Sequence, residues 1–373
     1  MASQRYDAIV IGGGVVGASI AYHAVRAGLR VLLLDKDEFL AGTSGATFAW
    51  VGAHFKKPTH YNLFSQEAVR LYKGLEAELG TSIEHDVVGS IELVETEAEL
   101  HRVDEEVEAL RAEGFDLVVL PGEEIRRREP IVPESFAGGV YSPNCAMVNP
   151  FRTVMAYLAR ARELGAEVRH GVEVRGILRA AGRVEGVATD QGEFRADWVV
   201  SAAGIHTPLV AAMVGVEVPM RRLRGNVLVS EVVERRINGV LGAGRGQGAG
   251  EFSMRQTRAG NILVGPTSDE VEFDRTVTRD NVFRLAGNVA RALPALADVR
   301  IIRTYAGVRP MPRDGQPIIS EVPGASGMVF VVTHSGFTLS VLVGRTVAAH
   351  LAGKDDTPHF QTYGLARFDA PAG

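Results

Sequence analysis

Residues 6–37 read YDAIVIGGGVVGASIAYHAVRAGLRVLLLDKD, and the fold is decided there. An apolar run, 6–11, meets a glycine turn, and an uncharged stretch then continues to residue 25. Gly28 follows where the C-terminal cap of a helix belongs. Residues 31–34 are apolar again and end at Asp35. Two strands without a polar face, joined by a helix, are what a parallel sheet covered on both sides requires. The turn has the form Gly12-x-Gly14-x-x-Gly17. Gly12 permits the tight turn, Gly14 lets the backbone approach a pyrophosphate, and Gly17 lets helix and strand pack closely. The helix N-terminus offers unpaired N–H groups and partial positive charge to phosphates. Asp35, at the end of the second strand, is placed to accept from ribose hydroxyls. Glycines that serve only a turn are the competing reading, and strand, helix and acidic residue together weigh against it.

Outward from that unit, composition sets limits. A chain of 373 residues suggests about two domains. Hydrophobic residues at 46% and charged residues at 23% are ordinary globular values, so wholesale disorder is not expected. A net charge of −5 argues against a nucleic-acid partner, which calls for a basic face. Cys145 is the only cysteine, which excludes an intrachain disulfide and a CxxC site. A reduced, soluble, cytoplasmic protein is expected. Residues 8–25 are uncharged for long enough to raise a membrane-span question, but Gly12, Gly13 and Gly14 interrupt them. They read as strand, turn and helix, and not as a signal peptide. The histidines show no HxH or HExxH spacing, so no metal is expected, and no GxSxG elbow appears.

Along the chain, the pattern predicts helices over 61–80, 98–113, 151–164, 281–293 and 336–351. It predicts strands over 87–94, 167–170, 172–178, 183–189 and 198–201, a long strand ending at Arg309, and a last strand over 328–333. The only biased run is a glycine-rich loop at 239–250. Nucleotide-type α/β character appears at the start, in the middle and at the end, with β-rich material between. The fold class is therefore α/β (α+β overall): a nucleotide-binding domain interleaved with a second domain rich in β-strand. The expected division is 1–85, 150–215 and 315–373 for the first, and 86–149 and 216–314 for the second. The glycine motif alone leaves NAD(P) and FAD open. Residues 42–46, Gly-Thr-Ser-Gly-Ala, favour FAD, because small residues and hydroxyls stand where an extended FAD continues and no third βα repeat follows.

Six ordered stretches carry a resemblance: 7–37, GTSGATFAWVGA (42–53), 148–177, DWVVSAAG (197–204), YAGVRPMPRDGQPIIS (305–320) and HSGFTLSVLVGR (334–345). Together they resemble the D-amino acid oxidase superfamily of FAD-dependent oxidoreductases, in its glycine oxidase, sarcosine oxidase and opine oxidase branch, which implies a Rossmann-type FAD-binding domain interleaved with a substrate domain of mixed β-sheet plus helices. The resemblance implies that Asp35 and Lys36 meet the adenosine end of FAD and that Val174 meets adenine through its backbone. It places Thr43 and Ser44 along the pyrophosphate, and Thr47, Phe48 and Ala49 near the flavin ring. The turn carrying His334, Ser335, Gly336, Phe337, Thr338 and Leu339 would lie against the flavin, and Val16, Gly204 and Gly307 would also border the cofactor. A helix N-terminus there suits the negative charge of reduced flavin. Several relatives link flavin to a C-terminal cysteine; Cys145 sits elsewhere, so FAD without a cysteine link is expected.

Arg309 is the substrate clue. On an extended strand Arg303, Tyr305, Gly307 and Arg309 share one face, and Pro310 keeps Arg309 extended. A guanidinium fork matches a carboxylate bidentately, and the resemblance gives this G-x-R-P arginine the substrate carboxylate; a structural ion pair is the alternative. Two departures stand out. Phe252 occupies the place of a tyrosine, and Leu263 the place of a lysine associated with oxygen activation, which leaves a dehydrogenase open beside an oxidase. The loop charges His54, Lys56 and Lys57 follow the flavin-side loop and could meet substrate, with solvation the commoner fate and His54 the catalytic candidate. The expected reaction is oxidation of a carboxylate-bearing amine (an amino acid, N-alkyl glycine or opine) by hydride transfer to flavin N5, with O2 or another carrier as electron acceptor. The rivals are a 2-hydroxy acid dehydrogenase with His54 as base, and an FAD-bound subunit of a multi-subunit enzyme; a homo-oligomer is also open.

Overall fold

The computed structural model describes residues 5–244, 250–354 and 358–369; part of the glycine-rich loop, 245–249, lies outside them. The opening strand, Arg5–Ile11, runs parallel to Val31–Leu34 on one side and to Gly192–Ser201 on the other. Glu167–Arg169 continues the sheet beyond Val31–Leu34, and Met328–Val332 joins Gly192–Ser201 in parallel. These strands belong to an eight-stranded sheet completed by Val174–Ala180, Arg183–Thr189 and Ile318–Glu321. The apolar runs have no polar face because alternate residues enter two cores. Ala8, Val10 and Leu33 pack under the helices Val15–Arg26 and Gly336–Leu351, whereas Ile9, Ile11, Leu32 and Leu34 join the core on the opposite face. Helices Val15–Arg26 and Gly336–Leu351 lie against each other at Gly344, where a Cβ would stand 2.3 Å from Ser19 Oγ.

A second, nine-stranded sheet is mainly antiparallel, with Met220–Val232 and Ile301–Pro312 as its longest pair. Its period-two alternation divides it cleanly. Leu228, Phe252, Met254, Ile262 and Val264 pack beneath the helix Arg279–Ala292. The alternate residues, among them Gly225, Val227, Ser253, Gly307 and Arg309, look toward the first sheet across a cavity. A small third sheet, Trp50–Val51, Asp86–Val87 and Ala146–Met147, holds Trp50 at the cavity edge.

Two elements depart from the sequence pattern. The helix expected over 61–80 is divided into Thr59–Leu71 and Leu75–Leu79, because Gly74 turns the chain at φ 92°. The strand expected over 87–94 is broken at Gly89, φ 72°, so that only Ser90–Val94 enters the large sheet. Among the described residues no helix is long and apolar enough to cross a membrane, and no group of His, Cys, Asp and Glu is spaced to hold a metal ion.

Candidate functional site

The glycine turn begins an elongated cavity of about 720 Å³. A Cβ on Gly12 would meet Ala202 O at 2.5 Å, and one on Gly17 would meet Gly12 O at 1.9 Å, so this backbone path admits glycine alone. Asp35 ties the turn to the second strand, its carboxylate accepting from Gly13 N at 2.6 Å and Asp37 N at 3.0 Å. Burial raises the Asp35 pKa, and those two N–H groups oppose the rise. Each carboxylate oxygen still has acceptor capacity for a ribose hydroxyl.

At the N-terminus of helix Val15–Arg26, Ser44 Oγ accepts from Val15 N at 3.0 Å. Ser44 also closes on Gly14, whose added Cβ would lie 3.0 Å from the Ser44 hydroxyl. Gly42, Thr43 and Ser44 line the cavity together with Gly12, Gly14 and Val15. Backbone N–H groups, hydroxyls and a positive helix end are the donor set a pyrophosphate needs. Thr43 Oγ1 donates to Val308 O, and Arg275 Nη1 to Ala41 O, each at 2.5 Å, so the same loop is stitched to the second sheet. A Cβ on Gly307 would lie 2.2 Å from Ala46 O, which fixes how closely strand and loop approach.

The far end of the cavity is built by three segments. Trp50 stacks on His54, with ring centroids 4.2 Å apart. The turn 333–338 brings His334 and Ser335 to the wall. Tyr61 donates to Ser335 Oγ at 3.3 Å, and Tyr305 donates to Thr47 O at 3.0 Å. Arg309 lies over Gly225, whose added Cβ would be 3.5 Å from the guanidinium carbon. Its Nε donates to Leu223 O at 3.3 Å, and its Nη2 to Thr267 O at 2.7 Å and Ser268 Oγ at 3.3 Å. Those neutral partners orient the fork without neutralising it, and Nη1 takes no part in these bonds. Burial lowers the Arg309 pKa, though a guanidinium keeps its charge throughout the working range.

Every position singled out in the sequence as cofactor- or substrate-contacting lines this cavity except Gly17 and Leu339. Gly17 serves helix–strand packing, and Leu339 is wholly buried in the core beneath the C-terminal helix. Phe252 also faces core, 1% exposed, because strand alternation turns its neighbour Ser253 to the cavity. The strand hydroxyl is therefore that of Ser253. Leu263 is buried and pairs across strands with Arg255, whose guanidinium packs over the Phe48 ring at 5.4 Å.

The expectation of solvated loop charges holds for one lysine only. Lys57 is exposed and pairs with Glu106 at 3.2 Å. Lys56 turns inward, and its Nζ is buried with no hydrogen-bond partner among the described residues, 5.6 Å from the centre of the Tyr61 ring. Asn62 sets this loop, its Nδ2 donating to Ala53 O, His54 O and Lys56 O at 3.1, 2.5 and 3.3 Å. Desolvation pushes the Lys56 ammonium down to about 7. The low-dielectric walls, then the charges of Arg309 and Lys56, hold His334 at about 3.

Comparison with known proteins places this geometry. The FAD dependent oxidoreductase (DAO) family matches residues 7–350. A subunit of the opine oxidase of Agrobacterium tumefaciens is 29% identical, covering 98% of each chain. Glycine oxidase of Pseudomonas aeruginosa is 29% identical, over 93% of this chain and 95% of that one. The crystal structure of glycine oxidase from Geobacillus kaustophilus superposes with a TM-score of 0.88 at 26% identity, covering 98% of each chain. L-proline dehydrogenase from P. horikoshii shares the fold, with a TM-score of 0.90 at 23% identity over 98% of each chain. A cavity of about 720 Å³ opening on a glycine turn, and a match spanning nearly the whole sequence, agree: the chain belongs to the DAO family of FAD-dependent oxidoreductases.

Proposed function

We propose that this enzyme oxidises a carboxylate-bearing amine, holding the carboxylate on Arg309 and the C–H bond beside nitrogen against the flavin. The observation that carries the reading is the Arg309 fork, oriented by backbone carbonyls at the cavity wall and paired with no acid among the described residues. A carboxylate completes such a fork with charge-assisted hydrogen bonds. FAD, when bound, supplies the chemistry by accepting the hydride; the protein orients the substrate, excludes water and sets the local charge. Gly12, Gly14, Thr43 and Ser44 would hold its pyrophosphate, Asp35, Lys36 and Val174 the adenosine end, and residues 47–50 with 334–338 the ring. Hydrolysis of the resulting imine releases the carbonyl product. The flavin is held without a cysteine link: Cys145 is buried, engaged by Ser90 Oγ at 3.2 Å, and is absent from the cavity wall.

Anaerobic visible spectra of the purified protein, titrated with glycine, sarcosine, D- and L-amino acids, opines and 2-hydroxy acids, test this reading. An amine that bleaches the flavin bands supports it, and readmitted air then separates an oxidase from a dehydrogenase that needs another carrier. Bleaching by hydroxy acids alone overturns it in favour of C–OH oxidation with His54 as base.

A further inference from the structure

The cavity end holds two cationic side chains of different character, and His334 feels both charges. Arg309 is permanently charged and is tied to carbonyls on the second sheet. Lys56 comes from the segment that follows Trp50, and its amine is buried with no hydrogen-bond partner among the described residues. An unsatisfied buried polar group is costly, so a partner that arrives only with ligand is the physical reason to keep it. On the Proposed function above, the cavity must also solve a proton problem. A carboxylate-bearing amine enters from neutral water as an ammonium, and an ammonium has no lone pair to assist departure of the hydride.

We propose that Lys56 is the proton acceptor for the substrate nitrogen. With the carboxylate on Arg309, the ammonium is presented toward the wall that carries Lys56. One substrate N–H bond breaks and one Nζ–H bond forms. The ammonium becomes a neutral amine, Lys56 becomes an ammonium, and no electrons change hands in the step.

The surroundings select this role over its neighbours. Facing Lys56 are the Tyr61 ring from helix Thr59–Leu71, Cys145 beside the short third sheet, and His334 from the flavin turn; His54 and Trp50 belong to its own segment. None is a carboxylate, so nothing there fixes a proton on Lys56, and the neutral form has a lone pair to offer. A permanently protonated lysine would repel an incoming ammonium. His334 is held too acidic to take the proton, and Arg309 cannot.

The test uses the flavin-loaded enzyme in three forms: wild type, Lys56→Met and Lys56→Arg, each confirmed by its flavin spectrum. In 15N-lysine-labelled protein, one Nζ resonance should titrate near pH 7 and be missing from Lys56→Met. The second-order rate of anaerobic flavin bleaching by the active amine should rise with pH through the same point. In Lys56→Met that rise should move up to the substrate amine's own pKa, with bleaching at least tenfold slower at pH 7.5. Lys56→Arg should be equally slow, since a fixed cation accepts no proton. Wild-type rates in Lys56→Arg would show a fixed anchor for a second anionic group and overturn the proposal. An unchanged pH profile in Lys56→Met, or a Lys56 resonance titrating near 10, overturns it too. If no amine bleaches the flavin at any pH, the amine reading itself fails and takes this role with it, whereas the other results sink Lys56 alone.

Discussion

Arg309 and His23 show how a single side chain can be read from its partners. Arg309 donates to carbonyls through Nε and Nη2, so Arg309→Ala removes a pre-oriented fork and should raise KM for the amine at least tenfold in steady-state assays. That factor is about 1.4 kcal/mol, within the worth of a charged hydrogen bond. His23 is a different case, buried where two helices meet and lacking a partner at Nε2 among the described residues. Burial first, then Arg345 and Arg26, depress it to about 3. An unfolded histidine titrates near 6.5, so its neutral form favours the folded state above that pH. Stability from this residue is lost as pH falls from about 6.5 toward 3, amounting to about 2 kcal/mol by pH 5. Urea unfolding at pH 7 and pH 5 should show that loss in the wild type and a smaller one in His23→Leu. Arg309 is legible in the sequence because strand alternation and the following proline are local signals. Lys56 is not, because His54-Phe55-Lys56-Lys57 has no periodicity, and the difference between the two lysines lies in a side chain six positions beyond the inward one.

That side chain, Asn62, belongs to the scale of elements. Placed one turn into helix Thr59–Leu71 and 1% exposed, it closes the preceding loop by serving its carbonyls. Asn62→Ala leaves those acceptors to compete for other donors, and should cost about 1–3 kcal/mol, visible as a lowered Tm, while also weakening the apparent affinity for substrate as Lys56 loses its seat. The strand–helix–strand opening is legible in the sequence because its strands are buried on both faces, and continuous apolarity is the signature of that burial. The divisions at Gly74 and Gly89 are hidden there, since a left-handed glycine interrupts an element without altering the apolar pattern around it. The orientation of Phe252 is likewise a matter of register: a shift of one residue exchanges core for cavity, and Ser253 is the residue that gains.

Across the whole molecule, the cofactor cavity is a seam. Residues from Ile11 to Thr338 line it, and both large sheets contribute walls. A ligand that fills such a seam binds the folded chain alone, so FAD added to apoprotein at one hundred times its Kd should stabilise by about 2.7 kcal/mol, read as a rise in Tm by differential scanning calorimetry. The direct stitches, Thr43 to Val308 and Arg275 to Ala41, hold the seam together from the side of residues 41–43. The order of the strands matters in another way. Met328–Val332, the last strand among the described residues, is hydrogen-bonded beside Gly192–Ser201, which in turn pairs with Arg5–Ile11. During synthesis, then, the opening strand leaves the ribosome long before Gly192–Ser201, its parallel neighbour, and Met328–Val332, the strand beyond that. Until those two strands follow, the early strand–helix–strand unit carries an apolar sheet edge uncovered.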